Sequence, residues 1–100
     1  MDHEILAASL PLIEKNLDLK PIPEQGDKAA LIKYLIPVVG ELLDQHFEKL
    51  LQICYRVDLD EITLKAILHE SEPDKVKLDL TTALVDRHLL KAAFRKKYGK

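Results

Sequence analysis

The stretch Leu31 to Val57, LIKYLIPVVGELLDQHFEKLLQICYRV, decides the fold. Leu31, Ile32, Leu35, Ile36, Val39, Leu42, Leu43, Phe47, Leu50, Leu51, Cys54 and Val57 recur mostly at steps of three and four, which is one face of an α-helix. Pro37 lies inside the run, and its ring clashes with the carbonyl one turn back, so a kink or a fresh helix start is expected there. Gly40 follows one turn later and costs roughly 1 kcal/mol relative to Ala, adding local looseness. A helix from about Pro37 to Val57 would be roughly 30 Å long and is the expected backbone of the domain. Val38, Val39, Leu42, Leu43, Ile53 and Cys54 cannot share one narrow seam. Such a helix either lies central in its own core or packs on another chain.

Working outward, Asp58-Leu59-Asp60-Glu61 ends this helix and starts the next, with Asp58 and Glu61 at capping-box spacing. Ile62, Leu64, Ile67 and Leu68 give the following helix its apolar side, ending near His69. Ser71 or Glu72 ahead of Pro73 marks another start. The last helix then carries Val76, Leu80, Ala83, Leu84, Leu90, Ala93 and Phe94 on its apolar side, and runs to about Tyr98-Gly99. Toward the N-terminus, two prolines and a glycine make Leu19–Gly26 an extended connector. Before it, Ile5, Leu6, Leu10, Leu12, Ile13 and Leu17 are interrupted by Pro11. Two short helical pieces are therefore expected, the second capped by Ser9. No alternating run is long enough for a strand. The expected fold is all-α, a compact bundle of four or five helices with one long central helix. It forms one domain over residues 1–100, with 1–26 as an N-terminal segment joined through 19–26.

Composition narrows the chemistry. The 100 residues are 47% hydrophobic and 32% charged, with three Gly, five Pro and one Cys. That is too apolar for a disordered chain, and enough for a core without covalent staples. One cysteine excludes an internal disulfide and any zinc site needing several thiolates from one chain. The N-terminus Met1-Asp2-His3-Glu4 is acidic where a secretory signal is basic, and the longest uncharged stretch, Ile5 to Ile13, is far below the roughly 18 residues of a membrane span. A cytoplasmic protein with no membrane partner is expected.

Candidate catalytic groups are few. His3, His46, His69 and His88 each lack a nearby His, so no metal-binding spacing is present. His46, one turn from both Leu42 and Leu50, reads as a histidine at the core edge rather than a ligand. Cys54 lies eight residues from His46, roughly 12 Å along a helix, which is too far for a nucleophile and its base. It reads as a small buried hydrophobe. Glycine is too sparse for a phosphate-cradling loop. No enzyme activity, metal or cofactor is expected.

Charge is distributed unevenly. Residues 86–100 hold six basic side chains against one acidic, a net of +5, while the first 85 residues carry a net of −7. Cations gather at a helix C-terminus because the dipole stabilises them there, by roughly 0.3–1 kcal/mol each. Alternatively, Arg87, Lys91, Arg95, Lys96 and Lys97 form a surface for nucleic acid or another acidic partner. Five aromatics and a pI near 6.1 make nucleic acid the weaker of the two partners.

The block His46 to Asp58, HFEKLLQICYRVD, with its Tyr-Arg-aliphatic-Asp ending, resembles a family of small uncharacterised bacterial proteins found mainly in Bacteroidetes. Leu84-Val85-Asp86-Arg87-His88-Leu89-Leu90-Lys91 is similar to that family's aliphatic–acid–Arg stretch. The resemblance covers about residues 30–98. His88 stands where Gln is usual and Cys54 where an aliphatic is usual. It implies no activity, substrate or cofactor. From the residues alone, Tyr55, Arg56 and Arg87 read as a clamp between the helix end and the C-terminal helix, or as an Arg56/Arg87 pocket for a carboxylate or phosphate. The functional expectation is a non-enzymatic helical interaction module with a protein partner, homodimeric through surplus apolar helix surface, or else an acidic-partner binder.

Overall fold

The computed structural model describes residues 3–98, in the order α1 (His3–Leu17), α2 (Lys28–Gln45), α3 (Phe47–Arg56), α4 (Glu61–Glu70) and α5 (Val76–Tyr98). The bundle is all-α, as expected, with no strand among the described residues. Gly99, where the last helix was expected to end, lies outside them.

Pro11 does not divide α1 in two: the helix runs through it. Its ring removes the bond to the carbonyl of Ala7, but Pro11 and Ala7 are both exposed, so water can satisfy the freed oxygen. The opposite face carries the helix, burying Leu6, Leu10, Ile13 and Leu17 at steps of four, three and four. Ser9 is not a cap. It is fully buried and its hydroxyl donates to the Leu6 carbonyl at 2.6 Å. Asp18 then closes α1 at φ 61°, with Leu19 N–H donating back to Glu14 O at 2.8 Å. The extended connector follows as expected, pinned where Ile22 N–H donates to the Glu14 carboxylate at 2.7 Å.

Asp27 opens α2 by accepting the Ala30 N–H at 2.8 Å. Pro37 again sits exposed inside a continuing helix, and the interruption falls instead at His46, with φ −140° and ψ 53°. The single helix expected over 37–57 is therefore two. His46 itself is exposed in the break rather than at the core edge. The bend resolves the arc that was too wide for one seam. Val39, Leu42, Ile53 and Cys54 are all buried in this chain's own core, with Val38 and Leu43 packed against it.

The end of α3 is a Schellman motif. Asp58 takes φ 59°, its N–H donates to Tyr55 O at 3.1 Å, and Leu59 N–H reaches Cys54 O at 2.9 Å. Asp60, not Asp58, caps α4, accepting from Ile62 N–H at 3.3 Å and from the Thr63 hydroxyl at 3.1 Å. A turn at 73–75 precedes α5, so Pro73 lies before the helix rather than in its first turn.

The long central helix is α5, whose 23 residues span about 35 Å. It runs antiparallel to α2, with Lys28 paired to Asp86 and Lys77 to Asp44 at 2.8 Å. It is also antiparallel to α1, with Lys96 paired to Glu4 and Asn16 bonded to His88. Leu80, Thr81, Leu84, Val85, His88, Leu89 and Ala92 form its buried face. Gly40 faces the Lys77 stem on its way to Asp44: a Cβ there would lie 3.0 Å from that stem, which would have to shift slightly to admit it. One core cluster takes residues from all five helices, α1 included.

Candidate functional site

The buried face of α5 sets what its C-terminal half can present. A helix turns 100° per residue, so burying Leu84, Val85, His88, Leu89 and Ala92 sends Leu90, Phe94 and Tyr98 outward. Leu90 and Phe94, expected in the core, are 46% and 56% exposed. With Tyr98 they line a shallow apolar groove of about 200 Å³ together with Ala93 and Lys97. The Phe94 and Tyr98 rings pack at 5.6 Å between centroids, and the Lys97 ammonium lies 5.4 Å from the Tyr98 centroid.

His88 takes the core place that the apolar pattern assigns to Leu90 and Phe94. It occupies a core position, 1% exposed. Its Nδ1 is 2.7 Å from the Leu84 carbonyl, which can only accept, so Nδ1 carries the proton. Nε2 is then left to accept from Asn16 Nδ2 at 3.1 Å. Burial holds the imidazolium below the usual histidine range, against the opposing hydrogen bond to Leu84, and the Lys91 charge adds to the lowering. The ring is a neutral, fully bonded core group that fixes Asn16.

Of the three residues expected to clamp the α3 end to α5, only Arg87 does so, and Lys91 joins it from the same helix. Arg87 Nε donates to Val57 O at 2.9 Å, and Lys91 lies 3.4 Å from the Asp58 carboxylate. Arg56 takes no part in it. Arg56 is exposed and lines a cavity of about 240 Å³ with Leu12, Lys15, Asn16, Lys91 and Arg95. Arg87 lines a neighbouring cavity with Leu90, Lys91, Phe94 and Arg95. The two arginines thus stand at separate cavities that share Lys91 and Arg95, not at one pocket. Tyr55 is exposed and lines neither. Lys96 is tied to Glu4 across the α1–α5 contact.

Lys15 and Asn16 are the residues that sequence reasoning missed. Their signal was the four-three-four stripe of α1, which places Lys15 and Asn16 beside it, once Pro11 is allowed a solvent-facing position. Among the described residues, no group of three His, Cys, Asp or Glu could hold a metal ion, and no helix is long and apolar enough to cross a membrane. Cys54 is fully buried, and burial pushes its thiol up to about 11, against a smaller lowering by a backbone hydrogen bond. Comparison with protein families, curated proteins and solved structures finds no match for this chain.

Proposed function

We propose that this chain is a non-enzymatic helical interaction module that receives an acidic amphipathic segment of another protein on the C-terminal half of α5. The observation that carries this reading is the stripe of Leu90, Phe94 and Tyr98 at four-residue steps, bordered by Arg87, Lys91, Arg95 and Lys97. An apolar strip between cations complements a helix whose apolar anchors are flanked by Asp and Glu. A second copy docked face to face would set these cations against their own counterparts, so charge favours a different, acidic chain over a homodimer. The groove beside Ala93 is almost wholly apolar in its lining, which suits side-chain anchors better than phosphates. A cytoplasmic site of action belongs to the same proposal, and the free thiol of Cys54 is compatible with it.

Fluorescence anisotropy tests the reading with a designed acidic amphipathic peptide, a twin carrying Lys in place of its acids, and a short RNA. The acidic peptide is expected to bind, with Phe94→Ala weakening it by about tenfold or more, as for an aromatic anchor at an interface. Equal binding of the two peptides, or RNA binding that ignores Phe94→Ala while the acidic peptide does not bind, overturns it.

A further inference from the structure

Lys15 of α1, Arg56 of α3, and Lys91 and Arg95 of α5 are far apart in the chain, yet they line one cavity of about 240 Å³. Leu12 and Asn16 complete the lining, and no carboxylate takes part in it. Asn16 is held from behind by the buried His88. Several cations elsewhere are matched with acids: Lys28 with Asp86, Lys49 with Asp18, Lys77 with Asp44, Lys96 with Glu4. Lys20, Lys33 and Lys97 stand singly without an ion pair among the described residues, but at this cavity three such cations come together. Lys15, Arg56 and Arg95 have no ion pair among the described residues, and Lys91 has only its 3.4 Å contact with Asp58.

Gathering like charges costs stability unless something neutralises them, and the chain has acidic residues to spare, 17 against 15 basic. We propose that this cavity is an anion site for a phosphate-bearing small molecule, held by the Arg56 and Arg95 guanidinium groups with Lys15 and Lys91 as flanking charges and Asn16 as a neutral hydrogen-bonding group. Guanidinium groups present paired N–H donors that match phosphate oxygens, and ammonium groups add point charges without geometric demand. The volume lies just below that of drug-sized pockets, which run from roughly 300 to 1,000 Å³, so it suits a di- or monophosphate group rather than a whole nucleotide. Phe94 and Tyr98 do not line this cavity, although Lys91 and Arg95 border both it and the apolar stripe, so Lys15, Arg56 and Asn16 are the residues that belong to the cavity alone.

Isothermal titration with pyrophosphate at low ionic strength tests this, with orthophosphate and a short single-stranded oligonucleotide as further arms. Pyrophosphate is expected to bind more tightly than orthophosphate. Arg56→Gln and Arg95→Gln should each weaken binding by about tenfold or more, the loss of a charge-assisted hydrogen bond. Lys65→Gln removes the same charge from α4, where Lys65 pairs with Glu61 at 3.3 Å, and should leave affinity unchanged. Phe94→Ala should also leave it unchanged, which separates this site from the peptide-docking reading. The Asn16 side-chain amide resonances should shift on titration. Because Arg56 and Arg95 have no partners to lose, ligand-free melting temperatures of their variants should equal or exceed that of the wild type. An oligonucleotide that outcompetes pyrophosphate and is itself lost with Arg56→Gln keeps the site and assigns its phosphate to a nucleic-acid backbone. No binding of any of the three anions overturns the proposal. So does an equal loss in Arg56→Gln and Lys65→Gln.

Discussion

Replacing Pro11 by Ala should stabilise the protein, and the size of the gain follows from where the ring sits. A proline inside a helix costs about 3 kcal/mol relative to Ala, through steric clash and a missing N–H. The missing bond is the smaller part, worth about 0.5–1.5 kcal/mol net, and the exposed Ala7 carbonyl recovers some of it from water. Against the gain, proline restricts the unfolded chain, and losing that restriction costs about 0.4–1 kcal/mol. The balance is about 2 kcal/mol in favour of Pro11→Ala. For a domain of this length that raises the melting temperature by roughly 10 °C. Urea unfolding followed by far-UV circular dichroism measures it. Pro21→Ala is the control: Pro21 is exposed in the extended connector, has no helix to repair, and should lose stability by the unfolded-state term alone, about 0.4–1 kcal/mol. If Pro11→Ala behaves like Pro21→Ala, α1 depends on a bend at Pro11 to seat Leu6 and Leu10. The account of a helix that tolerates its proline only because the ring faces water would then be wrong.

His88 makes stability pH-dependent in a defined direction. Its folded pKa is lowered, so below the unfolded value near 6.5 the unfolded chain binds a proton that the folded chain refuses. Its contribution is fully present above about pH 6.5 and falls with acidification, by at most about 1.4 kcal/mol per pH unit, until the folded pKa is reached. Urea midpoints between neutral and mildly acid pH should drop in the wild type and drop less in His88→Gln; equal slopes refute the assignment. Cys54, buried and with its thiol raised to about 11, should resist a thiol-reactive dye in the native state and react once urea unfolds the chain. Fast native labelling would show that the α3 end opens. Arg87→Ala should cost about 1–2 kcal/mol by leaving Val57 O without its donor, whereas Arg56→Ala should stay within about 0.5 kcal/mol of wild type. Comparable losses in both would place Arg56 in the clamp.

The existence of the helices was legible because each apolar stripe repeats at three and four residues, and the two strongest punctuation signals, Leu19–Gly26 and Asp58–Glu61, fall where the chain turns. Proline is a weaker helix-breaking signal here than its local chemistry implies. Pro11 and Pro37 both sit on solvent faces, where the lost bond is replaced by water and the buried face sustains the helix. The break at His46 carries neither Pro nor Gly. It comes from the need to bring Leu31–Leu42 and Leu50–Val57 onto one core, a tertiary demand with no local code. The α5 face was misassigned for a related reason. Periodicity counts an apolar residue as buried, so Leu90 and Phe94 drew the axis of the helix away from His88, whose hydrogen bonds to Leu84 and Asn16 allow a polar ring in the core. The cationic cavity draws on α1, α3 and α5, and only the fold brings Lys15 to Arg56.

The charge asymmetry therefore has to be read after pairing rather than before. A C-terminal net of +5 suggests a uniformly basic end, yet its members differ in kind. Lys96 is engaged with Glu4, Lys91 leans toward Asp58, Arg87 is bound to a backbone carbonyl, and Lys97 lies over Tyr98. Exposed pairs of this sort contribute about 0–1 kcal/mol each, so they hold the surface in register more than they stabilise it. Once they are set aside, Arg95 stands unpaired on this helix and faces the same cavity as Lys15 and Arg56, whose positions in the chain gave no hint of kinship. A basic tail that merely solubilised the protein would have no reason to gather cations from α1 and α3 around it. Convergence from three helices is the observation on which the proposed anion site rests, and a charge gradient along one helix would not produce it.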